Sequence, residues 1–279
     1  MQALDARVHP IARAGALVIA AVLHAGTAVA VEQRVQCVIY PSMEIRLASA
    51  TAGLLSEVPV ERGQTVQQGE IVARLESSVQ EVELSMAELR AASNIEVEIA
   101  RARSALTDSR GARIEELYTR QIATEAQYQE LQAERRLVAL ETERAKMEAE
   151  TAQLESERAE RLLALRKIRS PVDGVVVERL LGPGEFVHQD APVLHLAQID
   201  PLHVEAFLPT SMLHAVEVGM QATIFPQEPV GGTHAATVAV VDQVIDAASS
   251  TFGVRLTLPN PDGAIRAGLH CELTMQPAR

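Results

Sequence analysis

The sequence predicts an elongated fold of mixed α and β structure, in which a β-rich domain is split by a long α-helical hairpin and followed by a small β-barrel. Three observations predict it: two similar β-rich segments 121 residues apart, a helix-forming segment between them, and a run of short strands after them. A repeat at a fixed spacing is an architectural signal, because copies of one unit tend to pack together.

The two similar segments are residues 50–75 and 171–196. They align without a gap, since 174 − 53 and 196 − 75 both equal 121. Short apolar runs separated by glycine predict strands in each copy. In the first copy the predicted strands are residues 58–60, 64–66 and 71–73. We therefore expect one domain in two halves, residues 35–76 and 168–198. The identical pairs are Gly53/Gly174, Glu57/Glu178, Gly63/Gly184, Val66/Val187, Gln68/Gln189, Val72/Val193 and Leu75/Leu196.

The segment between the copies, residues 77–167, has helix-forming composition. It holds no proline and one glycine, Gly111, and is rich in Ala, Glu, Arg, Leu and Gln. Apolar residues recur every seven positions with charged flanks, which predicts a coiled coil. An earlier apolar stripe (Val79, Val82, Met86, Leu89) changes phase in a way that resembles a stutter before it continues as Ile95, Ile99, Ala102 and Leu106. The seven-residue columns are Ala133, Leu140, Met147, Leu154 and Leu131, Val138, Ala145, Ala152, Ala159.

The two β halves can meet only if the helical segment reverses direction. Residues 121–124 are the best place, because Thr124 followed by Gln127 forms a capping-box pattern. Each arm would then be about 65 Å long at 1.5 Å per residue. Residues 108–111 offer a competing turn, which would make the arms very unequal.

Short strands with turn residues between them fill residues 199–279 and predict the small β-barrel. The N-terminus, residues 1–30, resembles an export signal, with Arg7 and Arg13 before an apolar run and a small-residue site at Ala28-Val29-Ala30. Cleavage would place the mature chain in the periplasm; the alternative is an uncleaved membrane anchor. The predicted barrel strands are Leu202–Leu208, Gln221–Phe225, Thr237–Val241, Gly253–Leu258 and His270–Met275.

Composition argues against several classes of function. The net charge of −12, with two lysines in 279 residues, argues against nucleic acid as a partner. The sequence has no nucleophile elbow or phosphate loop, and its histidines are scattered, so we expect no enzyme, catalytic residue, cofactor or metal site. Cys37 and Cys271 either pair in an oxidising compartment or are two buried thiols.

Three stretches together resemble one protein family. They are GLLSEVPVERGQTVQQGEIVARL from Gly53, IRSPVDGVVVERLLGPGEFV from Ile168 and VRLTLPNPDGAIRAGLHCEL from Val254. Their order around a hairpin is similar to that in the periplasmic adaptors, or membrane fusion proteins, of the HlyD-like family. The resemblance implies a lipoyl-like domain split by the hairpin, with a barrel after it. The tight-turn lysine of true lipoyl carriers is replaced by the hairpin, which argues against a carrier.

The resemblance also implies partners and a site. The family's channel-binding tip has Arg, Leu four residues later and Ser seven after that; Arg113, Leu117 and Thr124 match, with Thr keeping the hydroxyl. The implied partners are an inner-membrane transporter, a TolC-type outer-membrane channel and further copies in a ring, expected to be a hexamer. The expected function is small-molecule efflux, with resistance–nodulation–division pumps favoured. The alternatives are an adaptor of ATP-driven or type I protein secretion, or a coiled-coil scaffold.

Overall fold

The structure, a computed structural model, describes residues 34–275. The predicted export signal, residues 1–30, lies outside them. Three helices, α1 (Ser78–Ala91), α2 (Ile95–Thr119) and α3 (Glu125–Ala164), lie between the fourth and fifth strands, and a 3₁₀ helix covers Thr210–Ala215. The strands are β1 (Val35–Ala48), β2 (Gly53–Glu57), β3 (Thr65–Val66), β4 (Ile71–Leu75), β5 (Lys167–Arg169), β6 (Gly174–Arg179), β7 (Phe186–Val187), β8 (Pro192–Pro209), β9 (Gln221–Pro226), β10 (His234–Asp246), β11 (Thr251–Leu258) and β12 (His270–Met275).

The two copies of the repeat are joined by exchanged hydrogen bonds. Gly63 N–H donates to Val176 O at 2.8 Å, and its counterpart, Gly184 N–H, donates to Leu55 O at the same distance. Strand pairing is exchanged in the same way, because β2 pairs with β7 and β3 pairs with β6. Each half therefore completes the other, and the predicted split domain forms one unit with an approximate two-fold relation.

Strand register follows the same offset of 121 residues. Leu55 lies opposite Leu75 between β2 and β4, and Val176 lies opposite Leu196 between β6 and β8. The equivalence also covers the end of β1 and all of β5: Ile168 pairs with Ala73 as Leu47 pairs with Leu194. The structural repeat therefore spans residues 46–75 and 167–196, four residues more than the sequence alignment indicated.

Thirteen buried side chains form the core of the split domain. Matched positions contribute equally, since Val72, Leu75, Val193 and Leu196 are each no more than 1% exposed. Burial of such aliphatic side chains stabilises the fold by about 1.5–3 kcal/mol each. The predicted strand at residues 58–60 is wrong: these residues are irregular and follow β2. Val58 and Val60 are apolar because they reach this core, and Pro59 between them has no N–H for a strand ladder.

A second β unit contains the N-terminal part of β1 and the C-terminal part of β8. Its pairing runs β1–β12–β9–β10–β11–β8, and β8 pairs again with β1, so six strands form a closed ring. β1 is a strand of 14 residues, and β8 has 18 residues. Both strands contribute to the split domain and to the ring, which connects the two units through continuous backbone.

Two features close this six-strand unit. Cys37 and Cys271 are a directly opposed pair on β1 and β12 and form a disulfide, which decides between the two alternatives for these thiols. The buried Asn260 fixes the connection before β12: its Nδ2 donates to Ile199 O and Ile265 O, and its Oδ1 accepts from Ile265 N–H, each at 3.0 Å. A buried side chain with all these partners satisfied holds its turn in one conformation.

Candidate partner-binding site at the hairpin tip

The helical hairpin projects from the end of β4 and returns at the start of β5. At its base, Leu75 N–H donates to Arg166 O and Glu76 N–H donates to Leu54 O, each at 2.8 Å, and the Arg166 guanidinium donates to Ala52 O at 3.1 Å. α3 is a single helix of 40 residues, so the hairpin reaches about 60 Å from the split domain.

The contact between the two arms, here called the seam, is narrow. On α3 it follows the predicted column that contains Leu131, Val138 and Ala145, the three buried residues of that helix. The facing residues on the other arm are small: the buried ones are Ala87 on α1 and Val97, Ala100, Thr107 and Gly111 on α2. Small residues allow the two helices to approach closely, but they bury little apolar area.

The other predicted apolar columns lie outside the seam. Leu140, Met147 and Leu154 on α3 are 58–67% exposed, so their assignment to the coiled-coil core is wrong. The stripe of the first arm is exposed in the same way. The seven-residue period was predicted correctly, but these columns lie on the face that points away from the other arm. The period does not distinguish the two faces, because both arms carry apolar residues on two opposite sides. The exposed members of the first arm are Val79, Val82, Met86, Leu89, Ile95, Ile99 and Leu106.

The phase change predicted in the first arm is a helix break at residues 92–94. α1 ends at Ala91 and α2 begins at Ile95, and Ser93 N–H turns back to Arg90 O at 3.1 Å. Ala91, a half-buried residue at the end of α1, and Val97, the first buried residue of α2, are six residues apart. This spacing is one residue shorter than a heptad, and the helix break accommodates the missing residue.

The hairpin turn lies at residues 120–124, as predicted, and α2 continues without interruption through the competing site at residues 108–111. Gln121 has φ of 60°, Ile122 N–H donates to Leu117 O at 2.9 Å, and Gln121 N–H donates to Tyr118 O at 2.9 Å. These are the two bonds of a Schellman motif, with Gln121 in the left-handed position where glycine is commonest.

Thr124 begins the return helix as predicted. Its hydroxyl accepts from Gln127 N–H at 3.3 Å, while Gln127 Oε1 accepts from Thr124 N–H at 2.8 Å, which completes the capping box. The hydroxyl is therefore already engaged in folding the tip. This capping satisfies N–H groups that a helix start leaves without partners.

Two tyrosines brace the tip across the turn. Tyr118 and Tyr128 stack with ring centroids 4.6 Å apart, and the Tyr118 hydroxyl donates to the Glu125 carboxylate. This hydrogen bond raises the pKa of Tyr118 above its usual value and, with a second bond from Gln129, lowers the pKa of Glu125. Aromatic stacking of this kind adds about 0.5–1.5 kcal/mol beyond the buried area.

The structure brings Arg113, Leu117 and Thr124 to the same end of the hairpin. Arg113 is exposed, Leu117 is half-buried, and Thr124 is exposed at the start of α3. Ile122, which is 68% exposed at the apex, was missed as a site residue because it was assigned only to the turn. Its β-branched apolar side chain at the far end of a charged hairpin was the available signal.

A partly buried polar contact lies just below the tip. Arg135 of α3 occupies a seam position and donates to the Glu115 carboxylate at 2.9 Å. Gly111 lies beneath it, since a Cβ at residue 111 would overlap the guanidinium. From sequence, Gly111 belongs to a possible turn at residues 108–111, and nothing in the sequence indicates this contact. Together the tip offers an exposed cation, an apolar apex and a hydrogen-bonded turn, which are features that suit contact with another protein.

Two family models match the chain. The model described as CzcB-like, barrel-sandwich hybrid domain matches residues 44–198, more than half of the 279-residue chain. The model described as CusB-like, beta-barrel domain matches residues 201–279. The first match covers the split domain with its hairpin, and the second begins within β8.

Similar sequences extend over most of the chain. It is 25% identical over 242 residues to the nodulation protein NolF of Rhizobium meliloti, covering 85% of this chain and 61% of NolF. It is 26% identical over 221 residues to the cobalt-zinc-cadmium resistance protein CzcB of Cupriavidus metallidurans, covering 78% of this chain and 39% of CzcB. The chain thus spans less than two thirds of the length of these relatives.

Solved structures share the fold. MacA from Actinobacillus actinomycetemcomitans superposes with a TM-score of 0.72 at 19% identity, covering 89% of this chain and 79% of MacA. The membrane fusion protein Spr0693 from Streptococcus pneumoniae gives 0.61 at 14% identity, covering 88% of this chain and all of Spr0693. Within residues 34–275, no helix is both long enough and apolar enough to cross a membrane. On the family-model match, the chain belongs to the CzcB-like barrel-sandwich hybrid family, the membrane fusion proteins that its motifs resemble.

Proposed function

We propose that this protein is a periplasmic adaptor that links an inner-membrane efflux transporter to a TolC-type outer-membrane channel, for export of small molecules. The observation that carries the proposal is the split domain from which a hairpin of about 60 Å projects at one pair of strands and a six-strand unit at the equivalent pair. Such a molecule can connect two separate partners, because the hairpin and the six-strand unit present different surfaces.

In this function the hairpin tip docks on the channel. Arg113 supplies forked hydrogen bonds to carbonyl or carboxylate oxygens, and Leu117 with Ile122 supplies apolar contact. Thr124 acts first as the helix cap and presents only its remaining hydrogen-bonding capacity to the partner. The Schellman motif and the capping box hold the tip in one conformation before binding, which lowers the entropy cost of association.

The apolar stripes on the outer faces of the hairpin support side-by-side packing of several copies. The stripe on α1 and α2 and the stripe on α3 lie on different faces, and both are exposed in one chain. Contact between two different surfaces is heterologous, and repeated heterologous contact closes into a ring when the rotation permits. We propose a ring of six copies, with the hairpins parallel.

Charge reversal at the tip tests the docking step. Arg113→Asp and Leu117→Asp are introduced in a strain whose chromosomal copy is deleted, with Arg110→Asp, an exposed arginine on the same helix, as the control. We expect the tip variants to be secreted at normal level, to lose crosslinking to the channel and to lose export, while the control keeps both. Normal export by both tip variants would contradict the tip assignment.

Cargo and transporter class are tested in the same strain. Crosslinking followed by mass spectrometry identifies the inner-membrane partner as a proton-driven pump or an ATP-driven exporter. Growth inhibition is then measured with zinc, cobalt, cadmium and copper salts, because relatives are named for cation resistance and efflux, and with organic dyes and antibiotics. Unchanged sensitivity of the deletion strain to every compound, with a secretion ATPase as the partner, would overturn the small-molecule proposal.

A charge on the outer stripe tests the ring. Met147→Glu places a carboxylate in the stripe of α3, and Lys146→Glu changes an exposed charge about 100° around the helix from Met147, outside the stripe. Mass photometry of the mature protein is expected to show loss of the oligomer for Met147→Glu and its retention for Lys146→Glu. Equal oligomer fractions in the two variants would show that the stripe is not the contact.

A further inference from the structure

Arg135 is a charged residue at a seam position of the hairpin, where apolar residues are expected. Seam positions of α3 follow a spacing of four and three residues, and Arg135 lies between Leu131 and Val138, which are both buried. Its side chain is only 27% exposed. A long cation at such a position reduces the apolar contact that a leucine would provide, so its presence calls for a separate explanation.

The other arm is shaped around this guanidinium. Gly111 leaves the space that it occupies, and Glu115 and Asp108 flank it at 2.9 Å and 3.9 Å. Asp108, Gly111 and Glu115 lie within two turns on one face of α2. Gly111 is the only glycine in residues 77–167, although glycine is one of the least favourable residues inside a helix.

The rest of the seam specifies its register weakly. Val97, Ala100 and Ala145 form a small cluster with Ala149, and neighbouring positions carry Ala, Ser and Thr of nearly uniform size. The base fixes α1 through the bonds of Leu75 and Glu76, but the break at residues 92–94 separates α2 from that constraint. The turn at residues 120–124 joins α2 to α3 at the tip, and between this turn and the break the seam has few other features that align the two helices.

We propose that Arg135 sets the register between α2 and α3 and so positions the hairpin tip for its partner. A slip of one heptad places the guanidinium opposite Ser104 or Tyr118, where a side chain fills the space that Gly111 leaves open. Because Asp108 and Glu115 are themselves one heptad apart, only one of these two carboxylates then flanks the guanidinium. The wrong register therefore crowds a half-buried cation and leaves it with one carboxylate instead of two, which is how a polar seam residue selects one alignment. Arg135 is in this sense a positioning residue, because Arg113 and Leu117 lie on the same helix as its partners.

The test uses cysteine pairs that report register directly. Ala100→Cys with Ala145→Cys reports the native alignment, and Ala100→Cys with Ala152→Cys reports a slip of one heptad. Both pairs are built in the full chain, whose two native cysteines are already joined. Arg135→Met removes the charge at similar length, Arg136→Met is the matched exposed control, and Gly111→Ala displaces the guanidinium while improving helix propensity.

We expect Arg135→Met and Gly111→Ala to keep full helix content by circular dichroism while disulfide formation falls several-fold in the native pair and rises in the slipped pair. Arg136→Met should match the parent. A purely structural role for Arg135 predicts lower helix content or melting temperature with an unchanged crosslinking pattern, and that result would overturn the proposal.

The functional half of the inference rests on the proposed adaptor role, and its failure can be recognised separately. Export and channel crosslinking are measured for the same variants. A changed cysteine pattern with normal export confirms the register role and contradicts the proposed use of the tip. An unchanged cysteine pattern refutes the register role whatever the export result.

Discussion

The two halves of the split domain have nearly identical strand pairing, but the chain continues from each half into a different structure. After Leu75 the chain departs into the hairpin, whereas after Leu196, its counterpart, β8 continues without interruption into the six-strand unit. The returning strands are equivalent too, because β5 enters from the hairpin where β1 enters from the six-strand unit. One half-domain design thus supports two different projections, and the domain connects them through its shared core.

Glycines that are identical in the two copies of the repeat are not always required for the same physical reason. Gly63 and Gly184 both have φ near 90° and open space around them, so each serves a turn. Gly53 and Gly174 differ: a Cβ at residue 53 would lie 2.8 Å from the Arg166 guanidinium, whereas at residue 174 it would lie 2.5 Å from Ala197 O. The first neighbour is a flexible side chain, and the second is the backbone of a central strand.

The largest expected effect tests the sameness of the halves. Leu75→Ala and Leu196→Ala each remove a fully buried side chain from one shared core, so each should lower the free energy of unfolding by about 3–4 kcal/mol. Calorimetric melting of the full chain measures both, with Leu54→Ala, an exposed leucine on β2, as the control near zero. A difference above about 2 kcal/mol between the two core variants would show that the halves do not share one core equally.

The next effect tests the difference. Gly174→Ala should cost about 2–3 kcal/mol, because a rigid backbone must move, whereas Gly53→Ala should cost about 1 kcal/mol, because Arg166 can change rotamer. Gly53→Ala should in addition weaken the bond from Arg166 to Ala52 O at the hairpin base. Urea titration ranks the two variants, and equal losses would mean that the close approach at Gly174 relaxes easily.

The fold was predictable from sequence where the signal was periodic or repeated. The offset of 121 residues determined the split domain, and the absence of proline with the capping-box pattern located the hairpin and its turn. The error in the hairpin seam has a simple physical origin. Periodicity reports that a helix has an apolar face but not which face meets the partner arm, and α3 has two, with Leu140 and Met147 on the exposed one.

The tip site was predictable only in part. The family resemblance assigned Arg113, Leu117 and Thr124 to the hairpin tip, and all three lie at that end of the hairpin. The Thr124 hydroxyl, however, caps α3 and is used in folding the tip. The seam contact of Arg135 with Glu115 joins residues 20 positions apart through a helix reversal, so no local pattern announces it. The proposed role of the tip remains a prediction for the charge-reversal experiment.

A smaller effect tests the turns that the halves share. Gly63→Ala and Gly184→Ala each force a residue with a Cβ into the left-handed region, which costs about 1 kcal/mol. Because both sites are open, the two losses should agree within about 0.5 kcal/mol. Gly182→Ala, at a neighbouring glycine without positive φ, is the control for the loss of backbone freedom. A loss at only one of the two sites would break the equivalence of the turns.

The smallest effect concerns a position where the repeat has diverged at the surface. Arg74 contacts Glu57 at 3.1 Å, while its counterpart His195 lies opposite Glu178, the counterpart of Glu57, and is 3.7 Å from Glu44. Exposed ion pairs contribute about 0–1 kcal/mol, so Arg74→Ala should cost about 0.5 kcal/mol in dilute buffer and nothing measurable in about 1 M salt. His195→Ala should stay within about 0.5 kcal/mol at either salt concentration, because its contact exceeds hydrogen-bonding distance. A salt-independent loss for Arg74→Ala would instead assign its effect to packing of the aliphatic stem on the strand.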